Sequence, residues 1–161
     1  MMLQRLAKAR LLPLLLPAAV VLGILPSGTL ESAPPQTAPS AAQTAADVYK
    51  AVYNGWKWWH VYCYRCHGTN GVGATVAPSL IEANRQFTLR EFLPKVKNGS
   101  PDKGMQAWDQ LLDDKQITDI YTYVTARADK VLPPGRPDEV GPKGGPWVPP
   151  AGWPKPARTE K

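Results

Sequence analysis

The segment "WKWWHVYCYRCHGTNGVG", residues 56–73, gathers three tryptophans, two tyrosines, both cysteines and both histidines of a 161-residue chain. Within it, "CYRCH" sets Cys63, Cys66 and His67 in the spacing CxxCH, the pattern of c-type haem attachment. Two thiols three residues apart near the end of a helix can add to the two vinyl groups of a haem. The adjacent histidine then lies under the iron as its proximal ligand. Other chemistries account for less. A structural zinc site takes four ligands, usually as two separated pairs, and here only His60 could join, with all four crowded into one segment. A thioredoxin-like redox pair needs a βαβ setting, and a disulfide leaves His67 unexplained.

A haem iron held by one histidine has a sixth position to fill. Met1 and Met2 lie in the leader, so Met105, in "KGMQAW", is the remaining methionine. A lone methionine ordinarily fills core space, but Gly104 lets this loop approach closely and Trp108 can cover the ring. Histidine with methionine is the pair that raises the potential of a haem used for electron transfer. With both axial positions filled, no substrate can reach iron, so the residues read as a one-electron carrier rather than an enzyme. If Met105 does not bind, the iron is open, and a haem enzyme or gas sensor is the alternative. His60, seven residues before His67, reads as a solvent-facing histidine and not as a ligand. The glycines of "HGTNGVG" match neither GxGxxG nor the P-loop; they let the backbone lie close to the haem.

These residues need elements to hold them. Val48, Val52, Gly55, Trp59 and Tyr62 recur at steps of four and three, one face of a helix, with Asp47 as its predicted N-cap. Thr88 and Glu91 have capping-box spacing ahead of Phe92, Leu93 and Val96, with Asn98-Gly99 as a stop; Pro94 predicts a kink or an early end. Asp113 and Gln116 open a third helix, with Ile117, Ile120, Tyr121, Val124 and Ala128 on one face, ending before Pro133-Pro134. Nothing alternates with period two. The predicted domain is all-α, with long loops.

Around it lie appendages. Arg5, Lys8 and Arg10 precede an apolar run from Leu11 to Leu25 without an acidic residue, the pattern of a secretory signal. Pro13 and Pro17 break the run, which falls short of the roughly 20 residues that span a bilayer. The organisation read from the sequence is a signal over 1–30, which acts as an anchor if uncleaved, an Ala/Pro linker over 31–46, a domain over 47–132, and a Pro/Gly-rich extended tail over 133–161. That tail holds nine prolines and five glycines, interrupted by Trp147 and Trp153. It is read as laid over its own domain, or as a polyproline segment for a partner. The net charge is +6, and removing residues 1–33, with three basic residues and Glu31, leaves +4. No Lys/Arg block is present, which excludes a nucleic-acid-binding class.

Over residues 47–130 the sequence resembles a class I cytochrome c. Gly55, Trp59 and Cys63, four apart, are similar to that family's N-terminal helix, where a glycine permits close crossing of the C-terminal helix. Cys63, Cys66 and His67 match its haem motif, and Met105 its axial methionine. Pro78, in "APSL", matches the proline whose carbonyl accepts a hydrogen bond from the histidine ligand's other ring nitrogen. Ile120 and Tyr123 match the apolar and aromatic pair of the last helix. Gln106 departs from the proline that many relatives carry after the methionine and leaves that loop less rigid.

The resemblance implies a class I cytochrome c fold, with N- and C-terminal helices crossing, one covalent haem c, and a pocket lined by Trp59, Pro78 and Trp108. More narrowly, "NGWKWWHVYCYRCHG", "APSL" and "ITDIYTYVTARADKVLPPGRP" resemble the small cytochromes that take electrons from pyrroloquinoline-quinone (PQQ) alcohol dehydrogenases of methanol or ethanol type. What this implies is a periplasmic monomer that accepts electrons from such a dehydrogenase and passes them to an oxidase or another cytochrome.

Overall fold

A computed structural model describes residues 41–84 and 86–154, and of 41–43 the backbone only. The signal and residues 31–40 of the linker lie outside the described residues, as do 155–161. Among the described residues no helix is long and apolar enough to cross a membrane.

The first helix, α1, spans Ala41–Trp58. It therefore begins six residues before Asp47, inside the segment read as linker, and Asp47 is not its N-cap. Alanine is the strongest helix former, and "AAQTAA" extends the rod once packing further along has nucleated it. At Trp59–Cys63 the rod passes through a π-helical turn. The Tyr64 N–H reaches back to Trp59 O, five residues away, before α2, Tyr64–His67, carries the helix to Gly68. Such a turn holds one residue more than the α-helical one it replaces.

Three further α-helices follow among the described residues: α3, Leu80–Ala83, α4, Leu89–Asn98, and α5, Asp114–Ala128. Both predicted capping boxes are present. Glu91 N–H donates to Thr88 Oγ1 and Thr88 N–H to Glu91 Oε2, while Gln116 N–H donates to Asp113 Oδ1 and Asp113 N–H to Gln116 Oε1. Pro94 neither ends nor divides α4, which continues to Asn98. It lies on the exposed side, where the one helix hydrogen bond it cannot donate is lost to solvent rather than in the core.

The helices α1 and α5 form the centre of the fold, and α3 and α4 pack against α5. The crossing occurs at Gly55, where a Cβ would stand 1.9 Å from Asp119 O and 2.9 Å from Tyr123 Cβ. Only glycine allows that approach. Around the crossing Val52, Trp59, Ile117, Ile120, Tyr123 and Val124 are buried. The described residues contain isolated bridges at Ala74–Ala77 and Ser100–Met105 but no named strand, so the fold is all-α, with the first and last long helices crossing as expected.

After α5 the chain folds back as a strap. Trp147 and Trp153 are buried in the core, their rings edge to face at 5.7 Å. Trp147 Nε1 donates to Val131 O at 2.8 Å and Trp153 Nε1 to Asp129 Oδ2 at 3.0 Å. Pro137 is fully buried and its carbonyl accepts the Trp147 N–H. The strap has no regular structure beyond a 3-10 turn at Pro142–Gly144, as its proline content requires.

Candidate functional site

The π turn and α2 deliver the CxxCH segment at the end of the α1 rod. Cys63 and Cys66 are free thiols, Cys63 half-buried and Cys66 exposed. Burial, with a smaller contribution from Cys66, pushes the Cys63 thiol up to about 12, so it stays protonated at neutral pH. His67 lies beside them with Nδ1 2.9 Å from Pro78 O. A carbonyl can only accept, so Nδ1 carries the proton and donates it. The neutral ring therefore presents Nε2 as a bare lone pair, the form in which histidine binds a metal.

Trp59 is fully buried and sits between two rings, 6.0 Å from His67 and 6.0 Å from Tyr123. Its Nε1–H lies 3.1 Å from both Gly68 O and Thr69 O, so the same side chain ties the helix crossing to the turn after His67. That turn is closed by Gly73 N–H to His67 O at 2.9 Å. Gly71 O accepts from Leu80 N–H and Ile81 N–H, which brings Pro78 back over the histidine.

Met105 is half-buried against the core. It is fixed by paired backbone hydrogen bonds with Ser100, Ser100 N–H to Met105 O at 2.7 Å and Met105 N–H to Ser100 O at 3.1 Å. The glycine that permits close approach here is Gly99, not Gly104. A Cβ on Gly99 would fall 2.3 Å from Gln106 O, whereas one on Gly104 would meet nothing within 4 Å. Gly104 serves instead through its positive φ of 79°, which reverses the chain before Met105. Trp108 N–H bonds to Lys97 O at 3.1 Å, and its ring packs edge-on against Tyr62 at 5.5 Å. The methionine loop is thus carried back to the helix face next to Cys63. Tyr62 and Gly99 were missed as site-building residues. Asn98-Gly99 was visible only as a helix stop, and Tyr62 only as one of an apolar face.

His60 is half-buried rather than solvent-facing. Its Nδ1–H donates to Trp56 O at 2.8 Å, and its ring lies 4.5 Å from Trp56 and 5.8 Å from Tyr64. Among the described residues no three His, Cys, Asp or Glu side chains gather as a metal set, and the cysteines are not joined. The zinc and disulfide chemistries are not what this arrangement supports. Two untied thiols, an imidazole with Nε2 bare and a half-buried thioether form a donor set that fits a haem.

The family model described as cytochrome c oxidase, cbb3-type, subunit III matches residues 41–124, more than half of the chain. The chain belongs to this c-type cytochrome family. Cytochrome c-555 of Methylococcus capsulatus (strain Bath) is 30% identical over 103 residues, covering 61% of this chain and 80% of that protein. Cytochrome c-553I of Paracoccus denitrificans is 31% identical over 94 residues, covering 54% of this chain and 42% of that protein. The crystal structure of c-type cytochrome XoxG from Methylobacterium extorquens AM1 matches with a TM-score of 0.51 at 28% identity, covering 54% of this chain and 56% of that one. This cytochrome therefore spans less than half of c-553I and a little over half of the XoxG chain. Its cofactor is one covalent haem c, and it is a monohaem electron carrier.

Proposed function

We propose that this cytochrome is exported to the periplasm, accepts single electrons from a PQQ-dependent alcohol dehydrogenase of methanol or ethanol type, and passes them to a terminal oxidase or another cytochrome. Cys63 and Cys66 are the thioether anchors, His67 and Met105 the axial ligands, and Trp59, Pro78 and Trp108 the pocket walls. The observation that carries this reading is the Nδ1–H bond of His67 to Pro78 O, which would leave Nε2 to bind the iron of a haem, with Met105, in a half-buried loop tied by paired backbone hydrogen bonds to Ser100, available as the second ligand.

A bound haem supplies a one-electron ferric/ferrous couple whose potential a methionine ligand raises. The chain's own part is to keep both ligands in place through the change of charge. Pro78 O would hold the imidazole ring, the Ser100–Met105 pairing would hold the backbone that carries the thioether, and Trp59 and Trp108 would wall the pocket. With both side chains so supported, neither would have to move when a bound haem changes charge. The dehydrogenase as donor is supported by the resemblance of "NGWKWWHVYCYRCHG" and "ITDIYTYVTARADKVLPPGRP" to the cytochromes that serve such enzymes, and export by the basic-then-apolar leader. Turnover needs a weak complex, so the interface with the donor is expected to bury less than about 1,200 Å².

Two measurements test the reading. The ferric protein should show the weak near-infrared methionine-to-iron band and bind carbon monoxide poorly when reduced. Met105→Ala should abolish the band and admit carbon monoxide while the covalent haem remains. A wild-type protein that lacks the band and binds carbon monoxide readily would instead be a haem enzyme or gas sensor with an open sixth position. Rapid mixing of reduced PQQ dehydrogenase with the oxidised cytochrome tests the donor. Reduction no faster than that of an arbitrary electron-transfer protein would rule the dehydrogenase out and leave a carrier for another periplasmic oxidoreductase.

A further inference from the structure

The strap touches the haem-binding loop at one corner. Gly135 N–H donates to Asn70 Oδ1 at 3.3 Å, a bond between residues 65 apart in sequence. The next residue, Arg136, lays its guanidinium 5.5 Å over the Trp56 ring of α1 and is itself held by Asp138 at 2.7 Å and Glu139 at 3.5 Å. Beyond the corner, buried Pro137 and the two buried tryptophans fasten the strap to the end of α5. The corner is therefore anchored from behind as well as in front.

Asn70 adjoins Gly71, and Gly71 is where the loop is tied together. A Cβ there would lie 3.8 Å from the Trp59 ring and 3.4 Å from Ile81. Its carbonyl accepts from Leu80 N–H at 2.9 Å and Ile81 N–H at 3.2 Å, and from Ser79 Oγ at 3.4 Å. Those donors follow directly on Pro78, whose carbonyl takes the His67 Nδ1–H at 2.9 Å. A continuous run of contacts thus leads from the strap through Asn70 and Gly71 to the acceptor that sets the tautomer and ring orientation of His67.

We propose that the Gly135–Arg136 corner is a positioning element for His67, acting through Asn70 and Gly71, so that the Pro/Gly-rich segment belongs to the haem site and tunes it. The proposal rests on the reading of His67 as the iron ligand. The strap hydrogen-bonds Asn70 in the histidine loop, Tyr53 on α1 and the end of α5, whereas Met105 is paired with Ser100, so the effect belongs to the histidine side. A bond to the imidazole N–H controls how strongly the opposite nitrogen donates to a metal, and a looser Pro78 weakens that control.

The test uses the full holoprotein with Asn70→Ala, which removes the acceptor, and Asn70→Asp, which keeps an acceptor oxygen. Amide exchange of Gly73, Leu80 and Ile81 should quicken about tenfold in Asn70→Ala, in the range of local opening equilibria. Exchange at Ser100 and Met105 should stay at the wild-type rate, and the midpoint potential should shift. Asn70→Asp should restore the exchange rates. Unchanged exchange and potential in Asn70→Ala, or equal quickening of both loops, would overturn the proposal. The wild-type spectrum separates this from a failure of the ligand reading, since a protein without histidine-to-iron ligation fails there before any variant is compared.

Discussion

Gly55 has no room for a side chain, because a Cβ would overlap the Asp119 carbonyl oxygen at 1.9 Å. Gly55→Ala must push α1 away from α5 along the contact that holds the core. The expected loss is about 3 kcal/mol, read from chemical denaturation of the holoprotein. Tyr123, in the same crossing, behaves differently. Its Oη is buried without a hydrogen-bond partner, and burial pushes its pKa up to about 12. Tyr123→Phe keeps the ring against Trp59 and deletes an unsatisfied polar group, so stability should change by no more than about 1 kcal/mol. A larger loss in the same denaturation series would mean that the hydroxyl has a partner. At this scale the CxxCH motif was the plainest signal of the haem c cofactor, since its spacing is its chemistry. The glycines were only half legible. A glycine's sequence position does not tell whether it serves by lacking a Cβ, as Gly55 does, by adopting a positive φ, as Gly104 does, or by both, as Gly99 does.

Helix boundaries follow from local chemistry, and α4 offers a test of it. Thr88 N–H and Oγ1–H both donate to Glu91 Oε2, at 2.7 and 2.9 Å, and these bonds hold the Glu91 carboxyl below its ordinary value of 4.5. The folded state thus binds this proton more weakly than the unfolded state. The contribution to stability is present above the ordinary carboxylate pKa and is lost as pH falls through the lowered folded one. Glu91→Gln should flatten the decline in stability on the acid side of about pH 4.5, compared by denaturant midpoints across that range. The π turn at Trp59–Cys63 supports a second prediction. Deleting the exposed Val61 should remove the extra residue and let the turn close as an α-helix, with Cys63, Cys66 and His67 kept near the face they now occupy. Helix content by circular dichroism and the yield of covalent haem should then both persist, and a fall in haem yield would show that the π turn itself is required. The two capping boxes could be read from three-residue spacings because each is closed within its own turn. The π turn could not, because the register of its hydrogen bonds leaves no mark on composition. The start of α1 was misplaced because an alanine-rich run beside prolines suits a linker as well as a helix.

For the molecule as a whole, the strap decides how much of the chain acts as one body. Its composition correctly excluded helix and strand, but nothing local to it reveals that Trp147 and Trp153 are core residues, since that depends on Val131 O and Asp129 receiving their indole N–H groups. Trp147→Ala and Trp153→Ala should each cost about 3–5 kcal/mol. Because the rings meet edge to face at 5.7 Å, the double variant should fall short of the sum by about 0.5–1.5 kcal/mol, measured in a thermodynamic cycle. The bond between Asn70 and Gly135 also places the chain's events in time. Synthesis runs from the N-terminus, so the CxxCH segment exists before α5, which packs on its helix, and Asn70 in its loop exists 65 residues before the donor that fastens it. Thioether bonds suit that order. They would retain the cofactor on a chain whose pocket is not yet closed, and the later-made strap would then fasten the loop beside a group that can no longer leave.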